Sequence, residues 1–144
     1  MRPGRGEETS KTKTAPVQQI TGTETILLVE DDVMLQGLMK TILEGYGYRV
    51  LAAGDGEAAI ALSETHEGEI ELLLTDVVLP GIGGKDLLDA LREKRPEMKI
   101  LFVSGYTDDI ISRYGVVPQD VNFLEKPFAP KSLALKVREV LDQE

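Results

Sequence analysis

The sequence predicts an α/β protein in which one parallel sheet is covered by helices on both faces. Two observations predict this class. Short apolar runs recur five times, and each is followed by a stretch with helical spacing. Three of the runs, 26–29, 72–74 and 100–103, are continuously apolar instead of alternating, as expected for strands buried on both faces. A third observation bears on function: four of the five runs end in a reactive polar group.

Ile26-Leu27-Leu28-Val29 is the first run. Leu35, Leu38, Met39, Ile42 and Leu43 then recur at the i, i+3, i+4, i+7, i+8 spacing of a helix with one apolar face. Gly45 and Gly47 stop that helix. Residues 48–51 read as the second strand, followed by an alanine-rich helix over about 57–65. Leu72-Leu73-Leu74 is the third strand, and the helix carrying Leu87, Leu88 and Leu91 ends before Pro96. Residues 100–103 form the fourth strand, with a weaker helix near 108–114, and 121–124 form the fifth. The last helix starts near Pro130, a favourable first-turn residue, and buries Leu133, Val137, Val140 and Leu141. Right-handed crossovers leave few topologies for five such units.

The chain of 144 residues is about one domain in length and can bury a core without staples. It contains no cysteine, which removes disulfides, thiolate catalysis and Cys-type zinc sites, and suits a cytoplasmic location. No apolar run approaches the roughly 20 residues of a membrane span, and the first residues lack a signal-peptide core. Residues 1–23 are almost devoid of apolar side chains and read as a flexible tail or linker, with one domain over 24–144. The net charge is −9, and the first 23 residues hold four basic and two acidic side chains. The remainder therefore carries 12 basic against 23 acidic residues. Such a body is a poor binder of nucleic acid but suits a hard cation.

The polar strand ends carry the chemistry. Glu30-Asp31-Asp32 follow the first run, Asp76 the third, Ser104 the fourth and Lys126 the fifth; the second ends in Ala52-Ala53 and contributes nothing. Ligands of open α/β sheets bind at the carboxyl ends of the strands, so these groups converge if their strands are neighbours. Clustered carboxylates repel unless a cation sits among them, and oxygen-only ligands favour Mg²⁺ or Ca²⁺. One carboxylate can then attack phosphorus and become an aspartyl phosphate, with the metal and an ammonium neutralising the transferred charge. A hydroxyl such as Ser104 can hydrogen-bond a phosphoryl oxygen.

Four stretches together resemble the receiver domain of two-component response regulators: Ile26-Leu27-Leu28-Val29-Glu30-Asp31-Asp32, Leu74-Thr75-Asp76-Val77-Val78-Leu79-Pro80-Gly81, Phe102-Val103-Ser104-Gly105-Tyr106 and Phe123-Leu124-Glu125-Lys126-Pro127-Phe128. The resemblance covers about residues 25–141. It implies a flavodoxin-like doubly wound sheet of strand order 2-1-3-4-5. It implies Asp76 as phosphoacceptor, Asp31 as a direct Mg²⁺ ligand, Glu30 acting largely through a metal-bound water, and Val78 lending its backbone carbonyl. Ser104 and Lys126 are implied to bind phosphoryl oxygens, Phe123 to be the aromatic switch, and Lys126-Pro127 to be a cis peptide. Glu30 in place of the commoner Asp, and Phe123 in place of Tyr, depart from the usual pattern.

The implied role is signalling and not metabolic catalysis. A histidine kinase or histidine phosphotransfer protein donates a phosphoryl group to Asp76, and the face made by the fourth helix, fifth strand and fifth helix changes for a downstream protein partner. No nucleic acid or membrane contact is implied for this segment, and a homodimer on phosphorylation is left open. Ser104-Gly105-Tyr106-Thr107-Asp108-Asp109 looks like receivers at the carboxyl end of hybrid sensor histidine kinases; a stand-alone regulator is the alternative. With apolar Val78 and aromatic Tyr106 flanking the site, a long-lived phosphoryl group is expected.

Each of these positions also has a plainer reading. Asp32 is more naturally a helix N-cap than a ligand. Asp76 could be a turn residue, Lys126 a solvated charge and Phe123 plain core; the shared register of the strand ends favours the site. His66, the only histidine, reads as a surface residue. A small phosphohydrolase that forms an aspartyl phosphate is the enzymatic rival, but its nucleophile is expected after the first strand, together with a cap domain. No G-x-G-x-x-G or Walker run follows any strand, which disfavours a nucleotide-binding fold.

Overall fold

A computed structural model describes residues 21–79, 81–105 and 122–143. Five parallel strands, β1 (Thr25–Val29), β2 (Arg49–Ala53), β3 (Leu72–Asp76), β4 (Lys99–Ser104) and β5 (Asn122–Glu125), form one sheet in the order β2-β1-β3-β4-β5. The described helices are α1 (Val33–Gly45), α2 (Gly56–Thr65), α3 (Gly84–Arg92) and the C-terminal α4 (Pro130–Leu141). The doubly wound sheet and its strand order are those expected. The helix expected near 108–114 lies outside the described residues, as do Pro80, Tyr106 and Val121.

Successive residues of a strand point to opposite faces, so each strand feeds two cores. Leu27, Val29, Leu73, Ile100 and Phe102 meet Ala59 of α2 and Leu87, Leu88 and Leu91 of α3. Ile26, Leu28, Leu72, Leu74, Leu101 and Val103 meet Met39 and Leu43 of α1 and Leu133, Val137 and Val140 of α4. This two-sided burial explains the continuous apolar runs. Each fully buried side chain of this kind stabilises by about 1.5–3 kcal/mol, before ordering entropy is counted.

Local signals fix the helix starts. The Asp32 side chain accepts from the Met34 and Leu35 N–H groups at 3.0 and 3.1 Å, capping α1 as expected. Asp55 caps α2 through the Ala58 N–H at 2.8 Å. Pro130 opens α4.

Two expectations need correction. Leu38 was expected on the buried stripe of α1 but is 54% exposed. Met39 and Leu43 face the sheet, and Leu38 lies about 120° round the helix from the midpoint between them. The second strand runs later than 48–51, through Ala53, because Val29 at the end of β1 pairs with Ala53 itself. Among the described residues no helix is long and apolar enough to cross a membrane.

Candidate phosphoacceptor site

Strand register brings the predicted residues to one rim. Val29 pairs with Ala53 on one side and Thr75 on the other, so Glu30 follows level with Asp76. Asp76 pairs with Val103, which puts Ser104 one step further out. Ser104 pairs with Glu125, so Lys126 comes next, and the Lys126 N–H donates to the Ser104 carbonyl at 2.9 Å. Four segments distant in sequence thus end at the carboxyl edge of adjacent strands.

At that edge the Lys126 ammonium bridges two carboxylates. Its Nζ donates to Asp76 Oδ2 at 2.8 Å and to Glu30 Oε1 at 3.3 Å. The Glu30 side chain is only 3% exposed, that of Asp76 14% and that of Lys126 25%, so Asp76 and Lys126 face the opening while Glu30 forms its floor. The second oxygen of Asp76 accepts the Val78 N–H at 3.0 Å. The second oxygen of Glu30 accepts the Asp32 N–H at 3.0 Å.

Burial pushes the Glu30 carboxyl above its ordinary range, and the Asp76 charge adds to the rise. The Asp32 N–H and the Lys126 charge pull the other way without cancelling it. Burial also works against the Lys126 ammonium, but the hydrogen bond and charge of Asp76, with Glu30 behind them, outweigh it. Lys126 is therefore held above an ordinary lysine and stays charged at neutral pH.

The remaining predicted positions are placed as follows. Ser104 is buried at the rim. Phe123 is half-buried and stacks on Phe102, with ring centroids 5.7 Å apart. Lys126-Pro127 is cis. Asp31, the residue after Glu30, is exposed. Among the described residues no three acidic, histidine or cysteine groups stand close enough to cage a metal ion. The donor set nevertheless fits Mg²⁺, which keeps several waters and takes one or two protein carboxylates instead of a closed cage. Glu30, Asp31 and Asp76 are all hard oxygen donors, and one ammonium leaves this group net negative.

Three contributors were not read from the sequence. The end of β2 does take part: the Ala53 carbonyl accepts both the Glu30 N–H at 3.0 Å and the Gln36 side-chain amide at 2.9 Å. Gln36 also donates to the Glu30 carbonyl at 3.0 Å. Gly84 is the third, since a Cβ there would stand 2.6 Å from the Asp76 carbonyl oxygen. The Gly83-Gly84 pair was a visible hint of close backbone approach; a main-chain carbonyl partner has no signature in a sequence.

Comparison with known proteins gives the family of this chain. Residues 26–138 match the response regulator receiver domain. The chain is 37% identical over 133 residues to "Sensor kinase CckA" of Brucella abortus (strain 2308), covering 92% of this chain and 14% of that kinase. It is 33% identical to "Response regulator receiver protein CpdR" of the same organism, covering 81% of this chain and 95% of CpdR. The crystal structure of the receiver domain from hybrid histidine kinase CckA superposes with a TM-score of 0.69 at 36% identity, covering 82% of this chain and 99% of that one. A five-stranded sheet of this order, a lysine bridging two carboxylates at its carboxyl edge and a match along most of its length make this chain a member of the response regulator receiver domain family.

Proposed function

We propose that the domain accepts a phosphoryl group on Asp76 from a phosphohistidine, presented by a histidine kinase or a histidine phosphotransfer protein, in a Mg²⁺-dependent step. The observation that carries this reading is the Lys126 ammonium, 2.8 Å from Asp76 and 3.3 Å from Glu30. An Asp76 carboxylate oxygen attacks phosphorus, the phosphorus–nitrogen bond of the donor breaks, and its electron pair returns to the imidazole. Lys126 is already poised against the attacking carboxylate and follows the phosphoryl oxygens as charge moves onto them. Glu30, Asp31 and Asp76, with the Val78 carbonyl, would hold Mg²⁺. When bound, Mg²⁺ offsets the charge of the transferred group and aligns its oxygens.

Ser104 then donates its hydroxyl to a phosphoryl oxygen, and the change is passed to Phe123 two residues before Glu125. Repacking of the Phe102–Phe123 stack alters the surface formed by β5 and α4, and so the affinity of a protein partner. The domain thus works as a signalling module in the cytoplasm. The similarity to a hybrid kinase receiver supports a role within or beside such a kinase. The match along nearly all of CpdR favours a second reading, a stand-alone regulator. Immunoblotting the native polypeptide for a chain near 15.8 kDa or a far longer one separates the two.

The chemistry is tested by intact-mass spectrometry after incubation with Mg²⁺ and acetyl phosphate. A gain of one phosphoryl mass that needs Mg²⁺ and disappears in Asp76→Ala is expected. An equal gain in Asp76→Ala overturns the assignment.

A further inference from the structure

We infer that Gln36 is a positioning residue: it sets the peptide between Glu30 and Asp31, and through it the affinity of the acidic loop for a divalent cation. The inference rests on the reading of this site as a cation-assisted phosphoacceptor.

Gln36 lies four residues into α1, after the Asp32 cap, and reaches back over the end of the sheet. Its single amide nitrogen donates to the Glu30 carbonyl at 3.0 Å and to the Ala53 carbonyl at 2.9 Å. A primary amide has two N–H bonds, and both are used. The Glu30 carbonyl belongs to the peptide unit that contains the Asp31 nitrogen. Fixing its direction fixes how the chain leaves toward Asp31, because the peptide is planar. The other atoms of Glu30 are tied elsewhere: its N–H to Ala53, one carboxylate oxygen to the Asp32 N–H and the other to Lys126. The 30–31 peptide is thus the joint that Gln36 alone, of these partners, holds by its carbonyl. A donor that orients ligands without touching the ion commonly changes metal affinity by about 10–100-fold when removed.

The alternative is that Gln36 merely staples α1 to the sheet. The two roles separate in a Mg²⁺ titration without phosphodonor, followed by amide resonances of residues 30–32, together with hydrogen exchange of the Glu30 amide in metal-free protein. Gln36→Met, similar in length but without donors, is expected to bind Mg²⁺ at least roughly 10-fold more weakly and to exchange the Glu30 amide faster. Gln36→Arg, which restores N–H donors, is expected to recover most of the affinity. Arg138→Met, a destabilising change at the opposite rim, is expected to leave Mg²⁺ affinity unchanged. Should Gln36→Met fail to fold, Gln36→Asn, whose amide is too short to reach both carbonyls, takes its place with the same expectation. Wild-type affinity in a folded Met or Asn variant overturns the inference, and so does an equal loss in Arg138→Met. Failure of the wild type to bind Mg²⁺ at millimolar concentration would instead remove the reading on which it rests.

Discussion

The two ends of the sheet each carry a charged cluster, and the clusters are built to opposite rules. At the carboxyl edge two carboxylates share one ammonium, and the group opens to solvent through Asp76 and Lys126. At the amino edge the guanidinium of Arg138 in α4 is enclosed by acceptors. It donates to both oxygens of Glu24 at 3.1 and 2.7 Å, to Asp142, to the Tyr48 hydroxyl at 3.3 Å and to the Thr21 carbonyl at 3.1 Å. Backbones close around it: Gly22 donates to the Tyr46 carbonyl at 3.1 Å, and a Cβ on Gly22 would lie about 2.5 Å from both Arg138 and Tyr48. Gly47 there has φ +104°, a conformation that side chains resist.

The difference separates a working site from a fastener. The Arg138 cluster has its donors matched, so it ties the chain entering β1 to the last helix and leaves nothing for a ligand. A groove of about 830 Å³ also opens at this end, between residues 63–71 and 94–99. Its Arg95 is likewise committed, to Ser63 and to the Ser63, His66 and Gly68 carbonyls. At the carboxyl edge the carboxylates outnumber the ammonium, and an incoming cation improves the balance instead of disturbing it.

The largest effect that would break this contrast is on transfer rate. Lys126→Met removes the ammonium that bridges Glu30 and Asp76 and is expected to slow phosphorylation of Asp76 by roughly 10²–10³-fold, measured by mass spectrometry over time with acetyl phosphate. Arg138→Met is expected to leave that rate within about twofold, since it lies at the other end of every strand. If Arg138→Met slowed transfer as much as Lys126→Met, the division between site and fastener would be wrong.

Next in size is stability. Arg138→Met leaves the half-buried Glu24 carboxylate, 26% exposed, without its partner. Losing one member of such a half-buried pair costs about 1–2 kcal/mol, between the exposed and buried cases, which lowers the midpoint of thermal unfolding by roughly 5 °C in a domain of this size. A shift under two degrees would show that the cluster is decoration.

The sequence made the carboxyl-edge cluster legible because its residues stand directly after apolar strands, where register carries them to one rim. Asp76, Glu30, Ser104 and Lys126 could each be named that way. The fastener was not legible. Glu24, Tyr48 and Arg138 sit before a strand, at a strand start and within a helix, and nothing in their spacing announces that the three meet. Gln36 was hidden for a related reason, since both its partners are main-chain carbonyls. Leu38 misled because apolar spacing marks a stripe on the helix but not how wide a stripe the sheet covers.

The smallest effect is the most discriminating, because the two clusters respond to pH with opposite signs. The Arg138 hydrogen bond holds the Glu24 carboxyl below its ordinary value, burial opposing it only in part. Its stabilisation is therefore present above the unfolded pKa, near 4.3, and is lost as pH falls through the lower folded value. The buried Glu30 carboxyl is raised, so its ionised form costs stability above the folded value, and that cost is relieved as pH falls through it. Glu24→Gln should thus lower the unfolding midpoint at pH 7 and make little difference near pH 3. Glu30→Gln, which keeps an oxygen for the Asp32 N–H, should raise or preserve the midpoint at pH 7 and lose that advantage in acid. Thermal melts of the two variants between pH 3 and pH 7 give two curves relative to wild type. Curves sloping the same way would mean that both carboxylates are held alike, and that the carboxyl edge is no more strained by its charges than the amino edge.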